Sequence, residues 1–86
     1  MIQYDIVEVF TSRNFSRDTN HIGPFSDLIQ CEIEARWRIA GYKHTRLIAY
    51  IVQRNPLRVI KRMDRDSDHV TVSSGVTGEM IEKYDL

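Results

Sequence analysis

Residues 23–42, GPFSDLIQCEIEARWRIAGY, repeat their apolar positions at the spacing of a helix. At about 100° per residue, Ile29, Ile33, Trp37 and Ala40 fall on one stripe, and Leu28, Cys31, Ala35, Ile39 and Tyr42 on a second, roughly opposite. Glu32 and Arg36 run between the stripes on one edge, and Asp27, Gln30, Glu34 and Arg38 on the other. Gly23 is placed as an N-cap with Pro24 at the first helical position, Ser26 and Asp27 offer oxygens to the free amides, and Gly41 suits a left-handed stop. A helix that only covers a sheet needs one apolar stripe. The second, Leu28, Cys31, Ala35, Ile39 and Tyr42, is therefore assigned to a protein partner or a second copy of the chain, unless the C-terminal segment covers it.

Elsewhere the pattern is that of strands. Ile2 to Thr11 is rich in β-formers, with Ile2, Tyr4, Ile6 and Phe10 on one face and Val7 and Val9 on the other, so both faces are partly apolar and the strand belongs inside a sheet. Arg46 to Arg54 is continuously apolar between terminal arginines; Asn55-Pro56 fits a type I turn, and Leu57 to Asp64 returns as the second arm of a hairpin. In that returning strand Arg58, Ile60 and Arg62 share one face and Val59, Lys61 and Met63 the other. DRDSD, residues 64–68, reads as a turn before a short strand from His69 to Ser74. Ser12 to Ile22 is aperiodic and full of turn formers, a loop that offers Arg13, Arg17 and His21 around Phe15. In Val76 to Leu86, Thr77 is placed as an N-cap and Val76 and Ile81 are at staple spacing, predicting a short terminal helix with Met80, Ile81 and Tyr84 as its adhesive side. The whole is a single domain, residues 1–86: an α+β two-layer sandwich of one long helix and a short C-terminal helix on a mostly antiparallel sheet of about four strands. The first strand can pair with Arg46 to Arg54 either antiparallel or through a right-handed parallel crossover.

Size sharpens the question of the second stripe. A folded chain of 10.1 kDa leaves roughly 5,300 Å² exposed of about 14,600 Å² unfolded, so its core is thin and association adds burial it needs. The composition is that of an ordinary globular protein, 42% hydrophobic and 28% charged, which argues against disorder. A single cysteine, Cys31, excludes an internal disulfide. No apolar run approaches a membrane span, and the N-terminus is acidic where a signal peptide is basic, so the expectation is a cytoplasmic protein without a membrane partner. On that reading the sequon Asn14-Phe15-Ser16 is a chance triplet.

The net charge of zero conceals a gradient: residues 1–35 hold two basic and six acidic side chains, residues 36–65 nine and one, and residues 66–86 one and five. The basic centre is the hairpin, where Arg46, Tyr50, Arg54, Arg58, Lys61, Arg62 and Arg65 could contact phosphates and a base if the acidic ends do not neutralise them. Other chemistry is sparse. DRDSD opens like a calcium loop, but His69 and Gly75 stand where glycine and glutamate are required. His21, His44, His69 and Cys31 have no metal-ligand spacing. Gly75-Val76-Thr77-Gly78 could offer amides to an anion, although a plain turn accounts for it. No nucleophile is placed with a base, so the chain reads as no enzyme, with no cofactor, metal or small-molecule substrate.

The layout is similar in a general way to small bacteriophage-encoded proteins that inhibit host enzymes or defence systems, often one helix on a short sheet with patches of one charge; the likeness transfers no functional residue. The expected function is a non-enzymatic binding module of regulator or inhibitor type, docking a protein partner and self-associating. The alternative is RNA or DNA binding through the hairpin, residues 46–65.

Overall fold

A computed structural model describes residues 1–11, 17–42 and 46–86. It contains strands β1 (Tyr4–Thr11) and β2 (Arg17–Phe25), helix α1 (Leu28–Gly41), and strands β3 (Arg46–Gln53), β4 (Arg58–Asp66), β5 (His69–Ser74) and β6 (Met80–Asp85). The six strands form one sheet in the order β2-β1-β3-β4-β5-β6, every neighbouring pair antiparallel. The helix lies on one side of it. The architecture is therefore α+β, with two strands more than the periodicity indicated and one helix fewer. β1 and β3 pair antiparallel, Val7 opposite Tyr50, which removes the parallel crossover between them. The crossover that exists joins β2 to β3 through α1 and passes over β1, which separates the two in the sheet.

Two segments were misassigned by their local signals. Residues 17–25, placed partly in a loop and partly in the helix, are strand β2, whose Arg, Asp, Asn, Gly and Pro residues have poor intrinsic β preference. Pairing along β1, from Thr11 opposite Arg17 to Tyr4 opposite Phe25, supplies what the residues lack. Gly23 is required there: its φ is 147°, and a Cβ would overlap the Asp5 carboxylate. The helix thus starts later than Gly23, capped by Asp27, whose carboxylate accepts from the Ile29 amide at 2.9 Å. The expected terminal helix is strand β6, in which Glu82 and Tyr84 point to the helix side and Lys83 to the other. Its pairing with β5, Val70 opposite Tyr84, outweighs the capping signal at Thr77. The loop residues 12–16, including Arg13, Phe15 and the sequon, and residues 43–45, including His44, lie outside the described residues.

Which helical stripe faces the sheet reverses one sequence expectation. Cys31, Ala35 and Ile39 are fully buried, with Leu28 and Tyr42 packed beside them, against Ile6 of β1, Leu47, Ala49 and Ile51 of β3, Met63 of β4, and Val70 and Val72 of β5. The assignment of Leu28, Cys31, Ala35, Ile39 and Tyr42 to a partner is thereby corrected: this stripe is the core. Small Cys31 and Ala35 let the helix approach a sheet whose own side chains are bulky, the complementary volumes that close packing requires. The polar edges fix the roll of the helix. On one side Glu32 accepts from Lys61 of β4 at 2.5 Å, and Arg36 donates to Glu82 of β6 at 2.7 Å. On the other, Arg38 forks onto both oxygens of Glu8 at 3.1 and 3.0 Å.

One further local feature alters the sheet faces. The β3–β4 register shifts between Ile51, opposite Lys61, and Val52, opposite Val59, leaving Ile60 as an extra residue. Val59 and Lys61 therefore face opposite sides, in contrast to the simple alternation. Gly75 packs against this irregularity, donating its amide to the Ile60 carbonyl at 2.9 Å; a Cβ at Gly75 would overlap the Val59 carbonyl. The turn joining β3 to β4 holds Asn55 at φ 45°, in the left-handed region that asparagine tolerates.

Candidate functional site

The seven residues of the basic hairpin are not gathered into one track. Arg65 is 6% exposed on the helix side and donates to the Ile39 carbonyl in the last turn of α1, where a cation meets the negative end of the helix. Lys61 is held by Glu32 on that same side. Arg62 and Arg46 both approach Asp64, at 3.3 and 3.7 Å, on the opposite face, and Arg54 forks onto Asp5 at 2.6 and 3.0 Å at the sheet's end. The acidic neighbour raises the Arg54 pKa above its already high ordinary value. Tyr50 lies mid-strand on the face away from the helix. Arg58 is exposed and enters no ion pair among the described residues.

The remaining polar candidates are accounted for within the fold. Buried Glu8 accepts from Arg38 and, at 3.2 Å, from Asn20 of β2; its bond raises the Arg38 pKa. Burial pushes the Cys31 thiol up to about 11, with Asp5 and Glu32 adding to it, which disfavours the reactive thiolate. In the turn between β5 and β6 the amides are already used. Val76 and Thr77 donate to the Ser74 hydroxyl, Gly78 to the Ser74 carbonyl, and Glu79 to the Thr77 hydroxyl, so this loop is a self-satisfied turn without a free anion cradle. DRDSD is strand through Asp66 and turns only at Ser67 and Asp68. Among the described residues no group of three His, Cys, Asp or Glu side chains could hold a metal. No helix is long and apolar enough to cross a membrane.

What the structure brings together instead is two uncovered apolar faces. The first is the outer stripe of α1: Trp37 is 76% exposed, Ile29 67% and Ile33 45%, with Ala40 exposed at the end. Ile29, Ile33 and Trp37 follow one another at four-residue steps, and Ala40 three residues on, along a helix whose inner stripe is locked to the sheet. The second is the sheet face away from the helix. There the strand registers place His21, Val7, Tyr50, Arg62 and Ser73 in one row across β2, β1, β3, β4 and β5, and Thr19, Val9, Ile48, Asp64 and Thr71 in the next. Asp5, Val52 and Val59 extend the face towards the β3–β4 turn. Together with Leu57, which is 82% exposed, several of these line a shallow depression of about 440 Å³.

Solvated sheet faces normally carry polar side chains at alternate positions; here the central strands place valine, isoleucine and tyrosine at them. Sequence reasoning registered this signal in β1, whose two faces are both partly apolar, but did not join it to β3 and β4, because the register was unknown. These features define a small α+β domain with a helix and a sheet face available for contact. In comparisons with known proteins, the chain matches no family model, no curated protein and no solved structure.

Proposed function

We propose that the chain is a non-enzymatic docking module that binds another protein by seating the outer stripe of α1 in an apolar groove of that partner. The observation that supports this most is the exposure of Trp37, Ile33 and Ile29 in line on a helix that needs none of them for its own core. Helix-in-groove recognition reads large apolar side chains spaced three or four residues apart on one face, and Ile29, Ile33 and Trp37 are so spaced. Tryptophan is also among the residues that dominate interface energies when a pocket desolvates it. The helix is held to the sheet by the Glu8–Arg38, Glu32–Lys61 and Arg36–Glu82 pairs, so its outer stripe is presented rigidly, with little ordering cost on binding. A module of this kind acts by occupying a surface, which makes it a regulator or inhibitor in type. Paired and divided hairpin cations favour a protein partner over a nucleic acid.

A photo-crosslinking residue at Glu34, beside the stripe, tests the reading in extract of the cells that produce the protein. One dominant protein adduct is expected, abolished in an Ile33→Glu variant of unchanged fold. With that adduct purified, Trp37→Ala should weaken binding by about thirtyfold or more. An adduct pattern indifferent to Ile33→Glu contradicts the proposal.

A further inference from the structure

The open sheet face is a separate surface from the helix stripe, and its chemistry suits one occupant. We infer that it is the contact between two copies of this chain, stacked sheet on sheet about a twofold axis. Val7, Val9, Ile48, Tyr50, Val52 and Val59 form a continuous apolar patch across β1, β3 and β4, each partly or well exposed. The patch is bounded by hydroxyl side chains, Thr19 on β2 and Thr71 and Ser73 on β5, and by the charged pair Arg62 and Asp64 on β4.

Extent is the first reason for a second copy. Five strands about 4.8 Å apart and seven residues at about 3.3 Å each span roughly 550 Å² per copy. Pairing two such faces covers about 1,100 Å² in total, just under the roughly 1,200 Å² at which stable specific interfaces begin and above the ~1,000 Å² that a biological contact should clear. Two aligned sheets pack about 10 Å apart and cross at about 30°, giving a four-layer assembly with the helices outside.

Charge is the second reason. A twofold axis in the interface, running across the strands between the two central rows, keeps each strand over its own copy and exchanges the rows. Val7 then lies over Val9 of the second copy, Tyr50 over Ile48, and Arg62 over Asp64, with the same contacts repeated in reverse, as an isologous interface requires. In these two central rows apolar positions meet apolar ones, and Arg62 meets Asp64. Within one copy Arg62 and Arg46 already approach Asp64, at 3.3 and 3.7 Å, so pairing adds a contact from the second copy's Arg62 to each Asp64. A net charge of zero adds no long-range repulsion to the encounter.

Sedimentation equilibrium at tens of micromolar protein decides the matter, with circular dichroism to verify the fold of every variant. The wild type should give twice the 10.1 kDa chain mass. Tyr50→Glu, in the centre of the patch, should give the single chain mass. Arg62→Asp should weaken the dimer at least tenfold by setting like charges across the axis, and Arg62→Asp with Asp64→Arg should restore it. Ile33→Glu, which abolishes docking by the helix, should leave the dimer intact, so the two surfaces fail separately. A monomeric wild type overturns the inference. So does a dimer that survives Tyr50→Glu and dissociates with Ile33→Glu.

Discussion

Helix α1 and strand β3 each have two apolar faces, and in both only one is covered. On β3, Leu47, Ala49 and Ile51 are fully buried beneath the helix, while Ile48, Tyr50 and Val52 alternate with them on the open side. On α1, Cys31, Ala35 and Ile39 are fully buried and Ile29, Ile33 and Trp37 face outward. The difference lies in size as well as exposure. At the centre of the inner stripe Cys31 and Ala35 are small where the sheet is bulky, and the outer stripe is large and exposed. Apolarity alone therefore does not select the face that folds inward; complementary volume and the partners of the polar edges do.

Substitutions on the two sides of each element should break this comparison in proportion to burial. The largest effect falls at Ala35, where glutamate places an unpaired charge inside the fully buried cluster of helix and sheet side chains. Ala35→Glu should cost about 4 kcal/mol or more, a large part of a small domain's stability, and abolish cooperative melting. A folded but monomeric Ala35→Glu protein would restore this stripe to a partner. Next, Ile51→Ala on the covered face of β3 should cost about 2–5 kcal/mol by urea denaturation. Val52→Ala, its neighbour on the open face, should cost under about 1 kcal/mol in the monomer. Equal losses at the two positions would mean that the open face is not open.

The smallest effect concerns the helix edge. Burial raises the Glu32 pKa, but the hydrogen bond and charge of Lys61, with Arg36, outweigh it and leave the carboxyl below its ordinary value. A folded-state pKa below the unfolded one means that this stabilisation is complete above the unfolded value and is lost as pH falls through the folded value. Glu32→Gln should accordingly make stability flatter with pH on the acid side and change it little between the two variants at low pH. An unaltered acid limb would show that the edge pairs do not fix the roll of the helix.

The sequence made some of this legible, and the reasons are specific. The hairpin of β3 and β4 was plain because an unbroken apolar run is bounded by a turn, and β5 followed from its alternation. β2 was hidden because Asp18, Asn20, Gly23 and Pro24 speak for a loop, and only pairing to β1 overrides them. β6 was taken for a helix because Thr77 does act as a small cap, bonding the Glu79 amide, but within a turn. For the contact surfaces, both helical stripes were visible and their roles were exchanged. Helical period fixes which residues share a stripe, whereas the inward choice depends on where Lys61, Glu82 and Glu8 stand, which only the sheet register sets. The open sheet face needed the same register. Its residues come from three strands, and no single segment shows that Val7, Tyr50 and Val59 share one face.

Trp37, the sole tryptophan of the chain, reports directly on which stripe faces outward. In the isolated wild-type protein its emission should be that of a water-exposed indole, and iodide should quench it nearly as freely as tryptophan amide. Sheet-to-sheet dimerisation leaves that unchanged, because the helices lie on the outside. A blue-shifted emission shielded from iodide would place the Trp37 stripe in the core and return Leu28, Cys31, Ala35, Ile39 and Tyr42 to the surface.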